Sequence, residues 1–305
     1  VLWVNLGLMF LIVAVAVVLI SIRVPRLVPA GKIVAPLALQ ISGVLVVTWF
    51  LVARGQTQAA SLPPPPSVDA EIWAGVAGPA LASLELVLVS VVFGTSVGTA
   101  AAALVAWARS PSFELMVGIG SLIWIIPTFL IAILAQDLQA TIFGLTGARV
   151  SGGYGTASGG QLLWCAAVLS IRPAAYAFRQ GNVLISDEAR AGHVRTAYAK
   201  GLLWRTIVAR HIIRPTAAGL VQTAASSIRL MFGALPLVEF FFGYPGLGQL
   251  LLSSLGVNSG IQVQPPSPSL AIASAVLLAC MLAVLEALAR ALTLRLDPRL
   301  AEAAA

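Results

Sequence analysis

Apolar stretches about twenty residues long, almost free of charge, recur along this chain and fix most of what it can fold into. About twenty apolar residues are what a helix needs to cross the hydrocarbon core of a bilayer. In lipid each backbone N–H and C=O must be satisfied within the protein, so such stretches fold as helices. Seven qualify, at about 3–22, 33–53, 81–107, 113–135, 161–178, 217–237 and 270–292. Only 10% of the residues are charged, against about 25% in soluble domains. The expected fold is therefore an all-α polytopic membrane protein of about seven transmembrane helices. The first stretch is too long for a signal-peptide core and lacks a basic leader and a small-residue cleavage site, so it is expected to be a retained helix.

The few charges alternate from loop to loop. Arg23, Arg26 and Lys32 lie between the first two stretches, Arg109 between the third and fourth, and Arg295 and Arg299 after the last. Arg179, Arg190, Arg195, Lys200, Arg205, Arg210 and Arg214 lie between the fifth and sixth. The intervening loops hold Arg54, Asp69, Glu71, Asp137 and Arg149 among many Gly, Ser and Pro. Basic loops stay in the cytoplasm, which puts the N-terminus outside and the C-terminus inside. The same bias accounts for the net charge of +7 without a nucleic-acid partner. Outside, Pro63 to Pro66 reads as a stiff polyproline segment, and 144–160 as a flexible Gly- and Ser-rich connection. These loops are too short to form a soluble domain.

The basic loop is the main functional clue. From Asp187 to Ala199 it favours a helix, with Asp187 and Glu188 supplying negative charge at the helix start. Gly201 interrupts, and helical spacing resumes from Leu202 to Ile213 before Pro215 leads into the next span. A helical pair hinged at a glycine suits a groove on a soluble partner. It suits the anionic headgroups of a lipid surface equally well.

No catalytic constellation stands out. The chain carries no G-x-x-x-x-G-K-[ST] loop to cradle nucleotide phosphates. Its histidines, His193 and His211, lie in the basic loop without the further ligands a metal would need. Cys165 and Cys280 fall in apolar stretches and read as packing residues. An ionisable side chain inside a span is a functional candidate by default. Arg229 falls mid-span and either faces a water-filled path or meets an interhelical partner. Glu239 is ten residues on, about 15 Å along an ideal helix and beyond direct pairing. Glu85, early in the third stretch and near its outer end, serves either a substrate or gate role, or else snorkels to the interface or marks a helix start. Gly243 to Gly248 is a turn by composition, either re-entrant at the outer mouth or a tight external turn.

Val194-Arg-Thr-Ala-Tyr-Ala-Lys-Gly-Leu202, followed by Arg210-His211, resembles the cytoplasmic coupling loop of ABC importer permeases of the dipeptide, oligopeptide and nickel family. Glu239-Phe-Phe-Phe-Gly-Tyr-Pro-Gly-Leu-Gly248 is similar to the segment after that family's next span, and Leu296-Asp-Pro-Arg299 to its C-terminal signature. Leu81 to Leu86 and Ile126 to Phe129 resemble pieces of its second and third spans. The chain departs in two places. Residues 54–79 form a short external segment without the family's Gly-Asp-Pro-like motif, and Gly192-His193 stands where an acidic-aromatic pair is usual.

The resemblance implies the pore subunit of a prokaryotic ATP-driven importer, with peptides as the favoured cargo and nickel chelates or other small solutes as alternatives. It implies an extra N-terminal helix and basic loop over 1–32, a first core helix and external segment over 33–79, and a permease domain over 80–305 whose coupling loop covers about 186–215. Val194, Arg195, Thr196, Ala197, Ala199, Lys200, Gly201, Leu202, Arg205, Arg210 and His211 would form the ATPase-coupling surface. Glu85, Arg229, Glu239, Tyr244, Pro245 and Gly246 are the pore or gate candidates. The implied partners are a second permease, two cytoplasmic ATPase subunits carrying ATP and Mg²⁺, an external substrate-binding protein and the lipid bilayer. The chain itself would bind no cofactor or metal and would not be an enzyme. A secondary transporter would want paired intramembrane carboxylates and repeat symmetry, which the sequence does not show. A membrane scaffold would explain the basic loop but not the ordered motifs.

Overall fold

The computed structural model describes residues 70–108, 118, 120, 123, 125–147, 159–257 and 267–296. The expected spans at 3–22 and 33–53, the proline run and the motif at 297–299 lie outside them. Among the described residues the elements are α1 (Ala70–Ala108), α2 (Thr128–Thr146), α3 (Gly159–Ala189), α4 (Gly192–Ala199), α5 (Trp204–Ile207), a π-helical turn (Val208–Ile213), α6 (Arg214–Phe242), α7 (Leu247–Ser254) and α8 (Pro268–Leu296). Among the described residues, five segments are long and apolar enough to cross a membrane: Ile72–Trp107, Thr128–Thr146, Gly159–Ala189, Gly219–Phe242 and Pro268–Thr293. The chain is an all-α polytopic membrane protein.

Several hydroxyls in the spans are satisfied within their own helix. Ser90, Thr95, Thr223 and Ser227 each donate a hydroxyl to the carbonyl four residues back, at 2.6, 2.6, 2.9 and 2.9 Å. That removes the cost of an unpaired hydroxyl in an apolar helix. Pro79, Pro173 and Pro236 sit inside α1, α3 and α6, positions tolerated where neighbouring groups take up the freed carbonyls.

Three expectations need correction. The stretch at 113–135 is not one helix. Pro127 is extended (φ −62°, ψ 140°) and α2 starts after it, because proline disfavours helix in the residue before it. The helix then runs to Thr146, so Asp137 is helical rather than in a loop, and Gly147, at φ 67°, ends it. The fifth span continues beyond Phe178 to Ala189, since a helix persists past the point where its side chains stop being apolar. Asp187 and Glu188 therefore lie in the last turn of α3, not at the start of a new helix.

The described residues divide into two compact units. One takes α1 from Leu86, α2, α3 from Leu162, the basic segment and α6 up to Ala234. In it, Gly94 and Gly98 let the backbone of α1 touch α3. A Cβ on Gly94 would sit 2.8 Å from the Ser170 carbonyl, and one on Gly98 would overlap that of Ala174. Small residues four apart are what close packing of membrane helices requires. The other unit takes α1 up to Glu85, the start of α3 up to Gln161, α6 from Leu235, α7 and α8. Its core gathers Val76, Leu247 and Ala273, flanked by Ile72, Trp73 and Leu250. Elsewhere Leu81, Val92, Leu104, Leu145 and Leu163 are exposed, as suits side chains that meet lipid or another membrane subunit.

Candidate functional site

The basic segment rests on a buried apolar base. Val194 and Ala197, three residues apart, form the buried face of α4. They join Ala102, Val105, Phe178, Ile185, Ile207, Val208 and Ile212 in one core. On the other side Arg195, Thr196, Tyr198, Ala199 and Lys200 are exposed. The Gly201 N–H bonds the Tyr198 carbonyl at 3.0 Å, and the Leu202 N–H bonds that of Ala197 at 3.4 Å. This pair of bonds ends a helix through a left-handed residue, here Gly201 at φ 76°.

After that glycine the chain turns outward. Leu202 and Leu203 are exposed, Leu203 at 77%, beside an exposed Arg205. Trp204 then anchors the segment by donating Nε1–H to the Ala106 carbonyl at 3.1 Å. The Arg205 guanidinium lies 5.8 Å from the centroid of Trp107, within cation–π range. Through Ile207 and the π-helical turn the segment runs unbroken into α6. Arg210 is exposed and His211 half-buried. His193 Nε2 lies 3.2 Å from Glu188 Oε1 and 3.1 Å from the His211 carbonyl.

Glu239, fully buried, organises the second cluster. Its Oε1 accepts from Ser83 Oγ at 2.5 Å, and its Oε2 from the N–H groups of Gly248 and Gln249 at 2.6 and 3.2 Å. Ser83 Oγ accepts from the Leu247 N–H at 2.8 Å. The first three amides of α7, which no helix can satisfy internally, are thus all bonded. The turn before α7 ends α6 as Gly201 ends α4. Gly243 is at φ 59°, its N–H bonds Phe240 O at 3.2 Å, and the Tyr244 N–H bonds Glu239 O at 2.9 Å. The buried Tyr244 donates its hydroxyl to the Ala82 carbonyl at 3.4 Å, and Gln161 Nε2 donates to Phe242 O at 2.9 Å. A Cβ on Gly246 would overlap the Glu239 carboxylate, and one on Gly248 would overlap Pro236. The segment is a turn that feeds an eight-residue helix packed on α8.

Of the remaining candidates, Pro245 is half-buried, and Arg229 and Glu85 stand exposed on α6 and α1. Glu85 lies fifteen residues after the first of α1, about 22 Å along it, so it is not at a helix start. Sequence reasoning passes over Ser83 and Arg172. Nothing local marks Ser83, whose partner is 156 positions away. Arg172 had a signal, a lone cation inside an apolar stretch; its Nη1 donates to Thr128 Oγ1 at 3.4 Å.

Residues 94–302 match a protein family described as the inner membrane component of binding-protein-dependent transport systems. The chain is also similar to a protein of Brucella ovis named as a peptide permease, 33% identical over 90 residues. A protein of Brucella suis biovar 1 with the same description matches at the same identity and length. In each case the match covers 30% of this chain and 28% of the relative.

Proposed function

The chain belongs to the family of binding-protein-dependent transport system inner membrane components, and from that premise we propose that it is the pore subunit of an ATP-driven peptide importer. It is a multi-pass inner-membrane protein and the permease component of an ABC transport system. Such a permease works in a complex with ATPase and other subunits. In this reading those are two ATPases that bind ATP and Mg²⁺, a second permease and an external binding protein that delivers cargo. The permease domain takes in residues 80–305, and the C-terminus and basic segment lie in the cytoplasm.

The observation that carries the reading is the α4–Gly201–α5 surface. Tyr198, Leu202 and Leu203 are exposed among Arg195, Lys200 and Arg205, over a base that is buried throughout. A lipid-surface helix would want its apolar side chains gathered on one long face. Here they sit at a helix end and a bend, which fits a groove on a folded partner better. The base ties this surface to α1 and leads directly into α6, so a shift of the docked ATPase becomes a shift of spanning helices. That is the rigid-body route between two states. Arg229, Glu85 and the turn from Glu239 to Gly246 are the pore or gate candidates in this reading. Peptide cargo rests on the resemblance of the 194–202 motif and on the names of the two relatives.

Replacing Gly201 by Pro tests the coupling assignment, because proline cannot adopt φ 76°. The expected outcome is loss of ATPase co-purification and of peptide uptake, with the chain still inserted in the membrane. A Gly201→Pro chain that holds its ATPase and transports normally would make the assignment wrong.

A further inference from the structure

α4 has a small foothold. Only Val194 and Ala197 of its eight residues are buried. It is joined to α3 through Arg190 and Ala191, and to α5 through Lys200, Gly201, Leu202 and Leu203. Two small side chains resist translation better than rotation, so a helix held this way could rock about its two connections. On that foothold alone a docked partner could rotate α4 without passing the rotation to the spans, even though a translation would reach them through the buried base.

One atom bridges both connections. His193 Nε2 is within hydrogen-bonding distance of the Glu188 carboxylate, in the last turn of α3, and of the His211 carbonyl, in the π-helical turn. The His211 carbonyl can only accept, so Nε2 carries the proton and donates to it, while the Glu188 carboxylate lies within ion-pair distance of the same nitrogen. The wide turn presents the His211 carbonyl toward α4, and the His211 ring lies tilted at 44° to that of His193, the centroids 6.4 Å apart. The π-helical turn continues into α6. We propose that His193 is the positioning residue that locks α4 to the two spanning helices that carry it, α3 and α6, so that motion of the docked ATPase reaches both. This rests on the coupling role proposed above for α4.

Exposure of the partners supports a positioning role over a stabilising one. The His193 side chain is 48% exposed and that of Glu188 26%, and an ion pair so open to water adds little to stability. Replacing His193 therefore leaves the fold in place while freeing α4 to rotate.

The test uses two variants. His193→Phe keeps an aromatic ring and loses the donor, whereas His193→Gln keeps an N–H. In the full chain in nanodiscs, a spin label at Thr196 reports the mobility of α4. In the complete reconstituted transporter, labelled trialanine moved per ATP hydrolysed reports coupling. Expected for His193→Phe are a more mobile label, intact ATPase binding and a drop in coupling of about two- to five-fold, the scale of an exposed ion pair. His193→Gln should recover most of both. The proposal is overturned if His193→Phe leaves mobility or coupling at the wild-type value, or if the two variants fall equally. It is also overturned if His193→Phe releases the ATPase, because the residue would then belong to the docking surface. Failure of the wild-type chain to hold an ATPase sinks the proposed function instead, and shows separately in the same preparation.

Discussion

Two helices in this chain end alike and lead to opposite surroundings. α4 and α6 both close through a glycine, Gly201 at φ 76° and Gly243 at φ 59°, with matching pairs of backbone bonds. After Gly201 the next residues, Leu202 and Leu203, are exposed, and no side chain of Leu203 caps α5. After Gly243 the chain is buried, and Glu239 and Ser83 supply acceptors to the first three amides of α7. The difference follows from solvent. At a water-facing surface the free amides of a helix start can bond water. Where the helix start is buried, each unbonded amide would cost about 1–3 kcal/mol. The backbone motif decides where a helix stops, and the side chains around it decide whether the turn is open to a partner or fixed in place.

The contrast predicts a graded set of effects. Glu239→Ala leaves the Gly248 and Gln249 amides and the Ser83 hydroxyl without their acceptor. It should cost about 3–5 kcal/mol, read as a large fall in the unfolding midpoint and in the amount of chain in membranes. Glu239→Gln keeps one oxygen and should lose less. Gly248→Ala forces a methyl against Pro236 and should cost about 1–3 kcal/mol by overpacking. Gly201→Ala meets nothing within 4 Å, so only the strain of a left-handed alanine remains, about 1 kcal/mol by the same measurement. The double change Arg195→Ala with Lys200→Ala should shift stability by no more than about 0.5 kcal/mol. It should nonetheless weaken ATPase binding in a salt-dependent way, checked by co-purification at low and high salt. Equal thermal losses in Glu239→Ala and the double variant would break the contrast.

Much of this was legible in the sequence. Hydropathy locates the cores of α1, α3, α6 and α8, because an apolar run of span length has few other solutions in lipid. Gly201 is readable as a break, since a glycine just past a helical stretch is the commonest helix end. Hydropathy misses the C-terminal end of α3, where Arg179 to Ala189 stays helical beyond the apolar stretch. It also misframes α2, because apolar residues lie on both sides of Pro127. The role of Glu239 was half legible. A carboxylate just before a Pro-Gly turn and a new helix is a natural acceptor for that helix's amides. Its second partner, Ser83, comes from a distant helix, and no local pattern could reveal it.

The central claim is that the exposed α4–α5 surface receives the ATPase. A photoreactive amino acid at Leu203, 77% exposed, tests it directly when the whole transporter is irradiated in membranes, with the exposed Leu255 after α7 as the control position. The account predicts an adduct with the ATP-hydrolysing subunit from Leu203 and none from Leu255. Adducts with lipid alone from Leu203, or an ATPase adduct from Leu255 in its place, would contradict it.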